Sequence, residues 1–215
     1  MKKAIVMAGV LFALIMTAGC GSQNQDHAAT AESDVTENEE EALQDNENTE
    51  KSSKVLVAYY SATGNTKAAA ETIADAAGGE LFELQPAEAY TTEDLDYNDP
   101  ESRVCKEHED PDLQDVKLEE VTPESFSNAN VVFLGYPIWW GEAAWPVNEF
   151  VKENDFTGKT VIPFCTSASS SLGDSGENLA EMAGTGEWQE GKRFSSGAAE
   201  EEIRNWVESL DLSAK

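Results

Sequence analysis

Apolar residues along the chain fall into short runs of four to six, separated by segments whose apolar positions repeat every three or four residues. Val55-Leu-Val-Ala-Tyr-Tyr60 is a continuous apolar strand that stops at Ser61, and from Lys67 to Ala77 the residues Ala69, Ile73, Ala76 and Ala77 share one helical face. Gly78-Gly79 end that helix and Glu80–Gln85 reads as a second strand. Asn130–Gly135 is a third strand, apolar on both faces as in a parallel sheet covered from both sides. Pro146 opens a helix carrying Val147, Phe150 and Val151, and Thr160–Phe164 is a fourth strand. A helix capped by Asp174 or Ser175 carries Leu179 and Met182. Trp188–Ser195 reads as a short fifth strand, and Ile203, Trp206, Val207 and Leu210 mark a closing helix. Strands alternating with helices predict a three-layer α/β/α sandwich over residues 54–215, with right-handed crossovers.

Residues 1–53 break this rhythm. Met1-Lys-Lys3 followed by the apolar run Ala4–Met16 is too short to span a bilayer as a stable helix and reads as an export signal. Thr17-Ala-Gly-Cys20 resembles the lipobox of bacterial lipoproteins, which implies cleavage before Cys20 and lipidation of that cysteine. The usual Leu is replaced by Thr17. Residues 21–53 hold almost no large apolar side chain and ten acids, so they are expected to form a disordered, self-repelling tether. The reading places the domain at the outer face of the cytoplasmic membrane, held by lipid.

Charge narrows the partners. The 215-residue chain carries a formal net charge of -28, of which residues 54–215 hold 32 acids against 11 bases. Such a surface opposes nucleic acid and anionic lipid and suits a basic protein partner. The densest acidity lies between Pro86 and Pro123, an excursion without a sustained period, read as a solvated insertion or a docking face. His108 within it, in Lys106-Glu-His-Glu-Asp110, lacks a matching ligand set, and no metal site is expected. Cys105 and Cys165 are too far apart in sequence to infer a bridge. No feature of the sequence asks for an oligomer, so a monomer is expected.

Three strand-to-helix loops carry candidate chemistry, at 61–66, 137–145 and 166–174. In an open parallel sheet all three emerge at the carboxyl ends of the strands, where ligands bind. Ser61-Ala62-Thr63-Gly64-Asn65-Thr66 leads into a helix N-terminus with hydroxyls and amides in place, which suits a phosphate or serves as an ordinary capped turn. It lacks the order of a nucleoside triphosphate loop and the three glycines of a dinucleotide fingerprint, so a monophosphate fits better. Trp139 and Trp140, between Pro137 and Gly141, offer a flat apolar wall. Consecutive residues of an extended chain cannot both face inward, so one must line a surface. The third loop adds small residues and backbone donors.

These signatures, Tyr60–Thr66, Gly135-Tyr-Pro-Ile-Trp-Trp-Gly141 and Pro163-Phe-Cys-Thr-Ser167 with Gly173-Asp-Ser175, resemble the flavodoxin superfamily over residues 54–212. The resemblance implies a five-stranded parallel sheet in 2-1-3-4-5 order and non-covalent FMN. By position, Ser61, Ala62, Thr63, Gly64, Asn65 and Thr66 would hold the phosphate. Pro137, Ile138, Trp139, Trp140 and Gly141 would flank the ring, and Thr166, Ser167 and Ala168 would lie near its edge. Ala168-Ser169 departs from the glycines common in relatives. The expected role is a membrane-tethered, low-potential electron carrier in which the flavin does the chemistry and no side chain is catalytic. An NAD(P)H-dependent flavin or quinone oxidoreductase and a non-redox extracytoplasmic binding protein are the alternatives.

Overall fold

The computed structural model describes residues 54–212; the export segment, Cys20 and the acidic tether lie outside the described residues. Strand β1 (Val55–Tyr59) forms the middle of one half of a parallel sheet, paired with β2 (Glu80–Glu83) on one side and β3 (Val131–Trp139) on the other. Beyond β3 come β5 (Thr160–Ser167) and then two short pieces, β6 (Glu187–Trp188) and β7 (Lys192–Ser195), both parallel to β5. The expected fifth strand therefore exists in two parts. The break falls at Gly191, where a Cβ would stand 2.4 Å from the carbonyl oxygen of Pro163, so the chain can pass only without a side chain. The order along the sheet is 2-1-3-5-6/7, with a two-residue strand β4 (Glu142–Ala143) turned back antiparallel on β3.

Period-2 alternation divides the strands between two cores. Leu56, Ala58, Val132, Leu134 and Val161 face α3 (Val147–Glu153) and α4 (Ser175–Ala183), through residues such as Phe150 and Leu179. Val57, Tyr59, Phe133, Ile162 and Phe164 face α1 (Asn65–Ala77) and α5 (Glu200–Ser209), through Ala69, Ile73, Ile203 and Val207. β1 and β5 are buried from end to end and β3 over Val131–Tyr136, as in the three-layer sandwich the sequence predicts.

Between β2 and β3 the acidic excursion is more ordered than its sequence pattern suggests. Its two ends are tied together: Ala87 N–H donates to the carbonyl of Lys117, Glu119 N–H donates to that of Gln85, and Pro86 faces Leu118 across an antiparallel bridge. Leu118 N–H also donates to the buried Oε2 of Glu149 on α3, at 2.6 Å. Inside, helix α2 (Arg103–Glu109) starts on Ser102, whose side chain accepts from the Cys105 N–H. Val104 and Val116 form a small core around Trp145 from the loop before α3. The excursion is anchored at both ends and carries a small core of its own, while most of its residues stay exposed.

Candidate functional site

The first loop forms where β1 ends and the chain must turn into α1. Gly64 is the residue before the helix, in the left-handed region at φ 87°, and the space where its Cβ would stand is open. Asn65 is the first helical residue. Ser61 organises the turn, its Oγ accepting from the N–H groups of Gly64 (3.1 Å) and Lys67 (3.2 Å). Having accepted twice, that hydroxyl still has its own proton to donate. Asn65 Nδ2 donates to Thr63 Oγ1 at 3.1 Å. The N–H groups of Asn65 and Thr66 have no acceptor among the described residues, and the first turn of α1 bears no acid. In so acidic a chain, a helix N-terminus free of carboxylates is a place where an anion meets donors and a favourable dipole without competition.

The second loop is partly strand. β3 runs on past Gly135 through Pro137 and Ile138 to Trp139, and returns through β4, with Ile138 opposite Ala143 and Trp139 opposite Glu142. Trp140 and Gly141 form the two-residue corner, both with positive φ, at 48° and 88°. Corners of this kind match the twist of paired strands, and glycine is at home there. Trp140 is the one non-glycine residue among the described residues with positive φ, a conformation that costs about 1 kcal/mol or more. The corner puts the two indoles to different uses. Trp139 is half-buried in a herringbone of rings, 5.7 Å from Tyr60, 5.5 Å from Tyr90 and 4.8 Å from Trp145 between centroids. Trp140 is 44% exposed, nearly parallel to Trp145 at 5.9 Å. The expectation that one tryptophan lines a surface is met by Trp140.

His108, given no role from the sequence, lies on Trp140: the rings stack 4.3 Å apart at an interplanar angle of 12°. One face of the exposed indole is thus already covered. Beside it on α2, Glu107 is buried at 4% exposure. Its Oε1 accepts from Arg103 Nε, and its Oε2 accepts from both the Tyr90 hydroxyl and the Trp145 indole N–H, each at 2.7 Å. Arg103 also lies over the Tyr90 ring, 3.9 Å from its centroid. Burial, then the hydrogen bond to the Glu107 carboxylate, raises the Tyr90 phenol far above its ordinary pKa. Burial disfavours the Arg103 charge, yet Glu107 holds that guanidinium above its usual value. None of Tyr90, Arg103, Glu107 and His108 was singled out from the sequence as part of the site. The available signal was the i,i+4 pairing of Arg103 with Glu107.

The third loop follows β5. Thr166 is buried and its Oγ1 lies 2.8 Å from Thr66 Oγ1, which joins this loop to the first. Ser167 is held by its own loop: its hydroxyl donates to the Ser170 carbonyl and accepts from Arg193 Nε at 3.1 Å. The Arg193 Nη2 donates to the carbonyls of Ser167 (2.8 Å) and Ala168 (3.1 Å). The loop thus lacks the glycines of relatives but is pinned by a guanidinium from β7, another residue the sequence reading passed over. With the Ser167 hydroxyl engaged, the Ala168 and Ser169 backbone N–H groups, which have no acceptor among the described residues, are the donors left for a ligand edge.

All three loops meet at one sheet edge. Tyr60 touches Trp139, Thr66 bonds Thr166, and a Cβ on Gly173 would sit 3.8 Å from the carbonyl oxygen of Gly141. The donor set fits a phosphomonoester attached to a planar ring: hydroxyls and free amides at the head of α1, an indole wall beside them, and backbone donors opposite. The 420 Å³ cleft between α1 and α5 reaches Asn65 and Thr166 at one end but carries Glu71, Asp75 and Glu200, which disfavour an anion deeper in.

The family model described as Flavodoxin matches residues 54–210. A crystal structure from Bacteroides eggerthii, of a protein provisionally called a flavoprotein, is similar at 39% identity and TM-score 0.65, covering 74% of this chain and 98% of that one. A second such protein, from Bacteroides uniformis, shows 37% identity and TM-score 0.66 over 73% and 98% of the two chains. A flavodoxin, WrbA-like protein from Agrobacterium tumefaciens shares the fold at 19% identity and TM-score 0.50, over 75% and 98%. No curated protein matches. A family match across almost every described residue, joined to relatives that this chain spans nearly whole, means that the chain belongs to the flavodoxin family.

Proposed function

We propose that the protein is an electron-transfer flavoprotein that holds FMN at the three-loop edge. The observation that carries this is the first loop, where the Asn65 and Thr66 N–H groups have no acceptor among the described residues, the Ser61 hydroxyl accepts twice and keeps its proton to donate, and the first helix turn bears no carboxylate. Ser61, Thr63, Asn65 and Thr66 would hold the phosphate, Trp139 and Trp140 the ring face, and the Ala168 and Ser169 amides its polar edge. When bound, the flavin supplies one- and two-electron chemistry that no side chain of the chain can supply. The chain orients it, and the aromatic wall keeps water from one side of the ring. The acidic surface that repels anionic nicotinamide nucleotides favours a basic protein as electron partner.

Residues 1–53 support a further part of the proposal: the domain is tethered through a lipidated Cys20 at the outer face of the cytoplasmic membrane. Purified apoprotein titrated with FMN and then reduced stepwise tests the redox reading. Saturable binding with separable one-electron steps is expected, and a single two-electron step refutes the carrier role. Rapid bleaching by NAD(P)H alone would make it an oxidoreductase instead. For the tether, a Cys20→Ser chain should leave the membrane fraction.

A further inference from the structure

The buried carboxylate of Glu107 is placed where it decides how the tryptophan wall stands. Trp145 is 2% exposed and its indole N–H has Glu107 Oε2 as acceptor. Tyr90, whose hydroxyl donates to the same oxygen, flanks Trp139 from another side. Trp145 in turn meets Trp139 edge-on and lies nearly parallel to Trp140. Two of the rings that buttress the wall therefore hang from one oxygen, supplied by a residue 38 positions before Trp145. Arg103 compensates the charge on the other oxygen, so the carboxylate is buried with its hydrogen bonds satisfied.

We propose that Glu107 is a positioning residue for the ring-binding wall. It fixes Trp145 and Tyr90, and through them Trp139 and Trp140, so that the lobe between β2 and β3 belongs to the cofactor site. This rests on the flavin reading above. Preorganisation of the wall lowers the ordering cost that a planar ring would otherwise meet on binding, so the effect appears in ring affinity and spares the phosphate loop.

The experiment compares Glu107→Ala, Glu107→Gln and Val104→Ala. Val104 packs against Trp145 in the same small core but makes no hydrogen bond to the rings, so its truncation loosens the packing while the Glu107 acceptor stays in place. Each protein is titrated with FMN and with riboflavin by flavin fluorescence, and the near-ultraviolet circular dichroism of the apoprotein reports the indole packing. Glu107→Ala is expected to weaken both flavins by the same factor, roughly tenfold, and to lose the indole bands. Glu107→Gln keeps an oxygen for Trp145 and Tyr90 and should recover most of both signals, while Val104→Ala, which keeps the acceptor, should weaken both flavins clearly less than Glu107→Ala does. If Glu107→Ala does not fold, Trp145→Phe, which removes the N–H and keeps a ring, carries the same expectation. Parent-like riboflavin affinity in the Glu107 or Trp145 variants, or an equal loss in Val104→Ala, overturns the proposal. A parent that shows the indole bands but binds neither flavin overturns the flavin reading, and this role with it.

Discussion

The hydroxyl pair Thr66–Thr166 spans the first and third loops across 100 residues of sequence, and its removal has a calculable cost. Both residues are almost fully buried, at 1% and 5% exposure, and their oxygens are 2.8 Å apart. Thr66→Val keeps the shape of the side chain and leaves the Thr166 hydroxyl buried without its partner, at a cost of about 1–2 kcal/mol. Thr166→Val does the same in reverse. Replacing both removes both polar groups at once and should be close to neutral, so the double-mutant cycle is predicted to show a coupling of about 2–4 kcal/mol, with each single variant less stable than the double by about 1–2 kcal/mol. For a domain of this size that is roughly a 2–8 °C change in Tm between single and double variants. Urea unfolding of all four proteins at constant m-value is the assay. Additive single effects, or a double variant worse than either single, refute the assignment of this contact as the fastener between the loops. The cycle bears on ligand binding as well. If Thr166 donates within the pair, the Thr66 proton points outward, and Thr66→Val should weaken FMN more than riboflavin.

Other consequences are testable with single variants. Gly135→Ala places a Cβ 2.2–2.7 Å from three Phe164 ring atoms in the sheet centre, so a loss of about 1–3 kcal/mol is expected, recovered in part by adding Phe164→Leu and read by denaturant midpoints. His108→Ala uncovers the Trp140 face, so acrylamide should quench tryptophan fluorescence more strongly, and riboflavin should bind severalfold tighter because one stacking contact no longer has to be displaced. Burial pushes the Cys165 thiol up to about 12, above its ordinary 9.0, so the folded state keeps the proton that the unfolded state releases. Stability from this group is therefore complete below about pH 9 and is lost between about pH 9 and 12, which pH-dependent thermal melts of the parent and Cys165→Ala should separate. In a Cys20→Ser chain, Cys105 should react with a thiol reagent at pH 8 and Cys165 should not until the protein unfolds.

The strand-loop-helix at Val55–Ala77 was legible because both of its periods are local: an unbroken apolar run, then an i,i+3/i+4 face. Strand alternation likewise required one of Trp139 and Trp140 to line a surface, without saying which. It did not see β4, because the Trp140-Gly141 corner requires positive φ at a tryptophan, which no propensity anticipates and only the pairing of Ile138 with Ala143 enforces. The lobe was missed for a related reason. Its order comes from contacts such as Tyr90 with Glu107 and Glu107 with Trp145, which leave no period, and Lys106–Asp110 looks like solvated charge until Trp145 is placed beside it. Arg193 was passed over because one of two adjacent cations on a short edge strand gives no sign that it grips carbonyls 25 and 26 residues earlier.

The tie between Gln85–Ala87 and Lys117–Glu119 has a consequence for how this chain can change over generations. Since the two ends are fastened to each other and to Glu149, a change of length within residues 88–116 is not passed on to the pairing of β2 and β3, although Tyr90 packs on Trp139 at the end of β3. The length of that stretch can drift while the sheet register stays put. Shortening the enclosed stretch by a third alters its closure entropy by only about 0.4 kcal/mol. The clasp thus makes the lobe an exchangeable cassette. Its outer face is free to acquire new partners, provided each version still delivers a buried acceptor to Trp145.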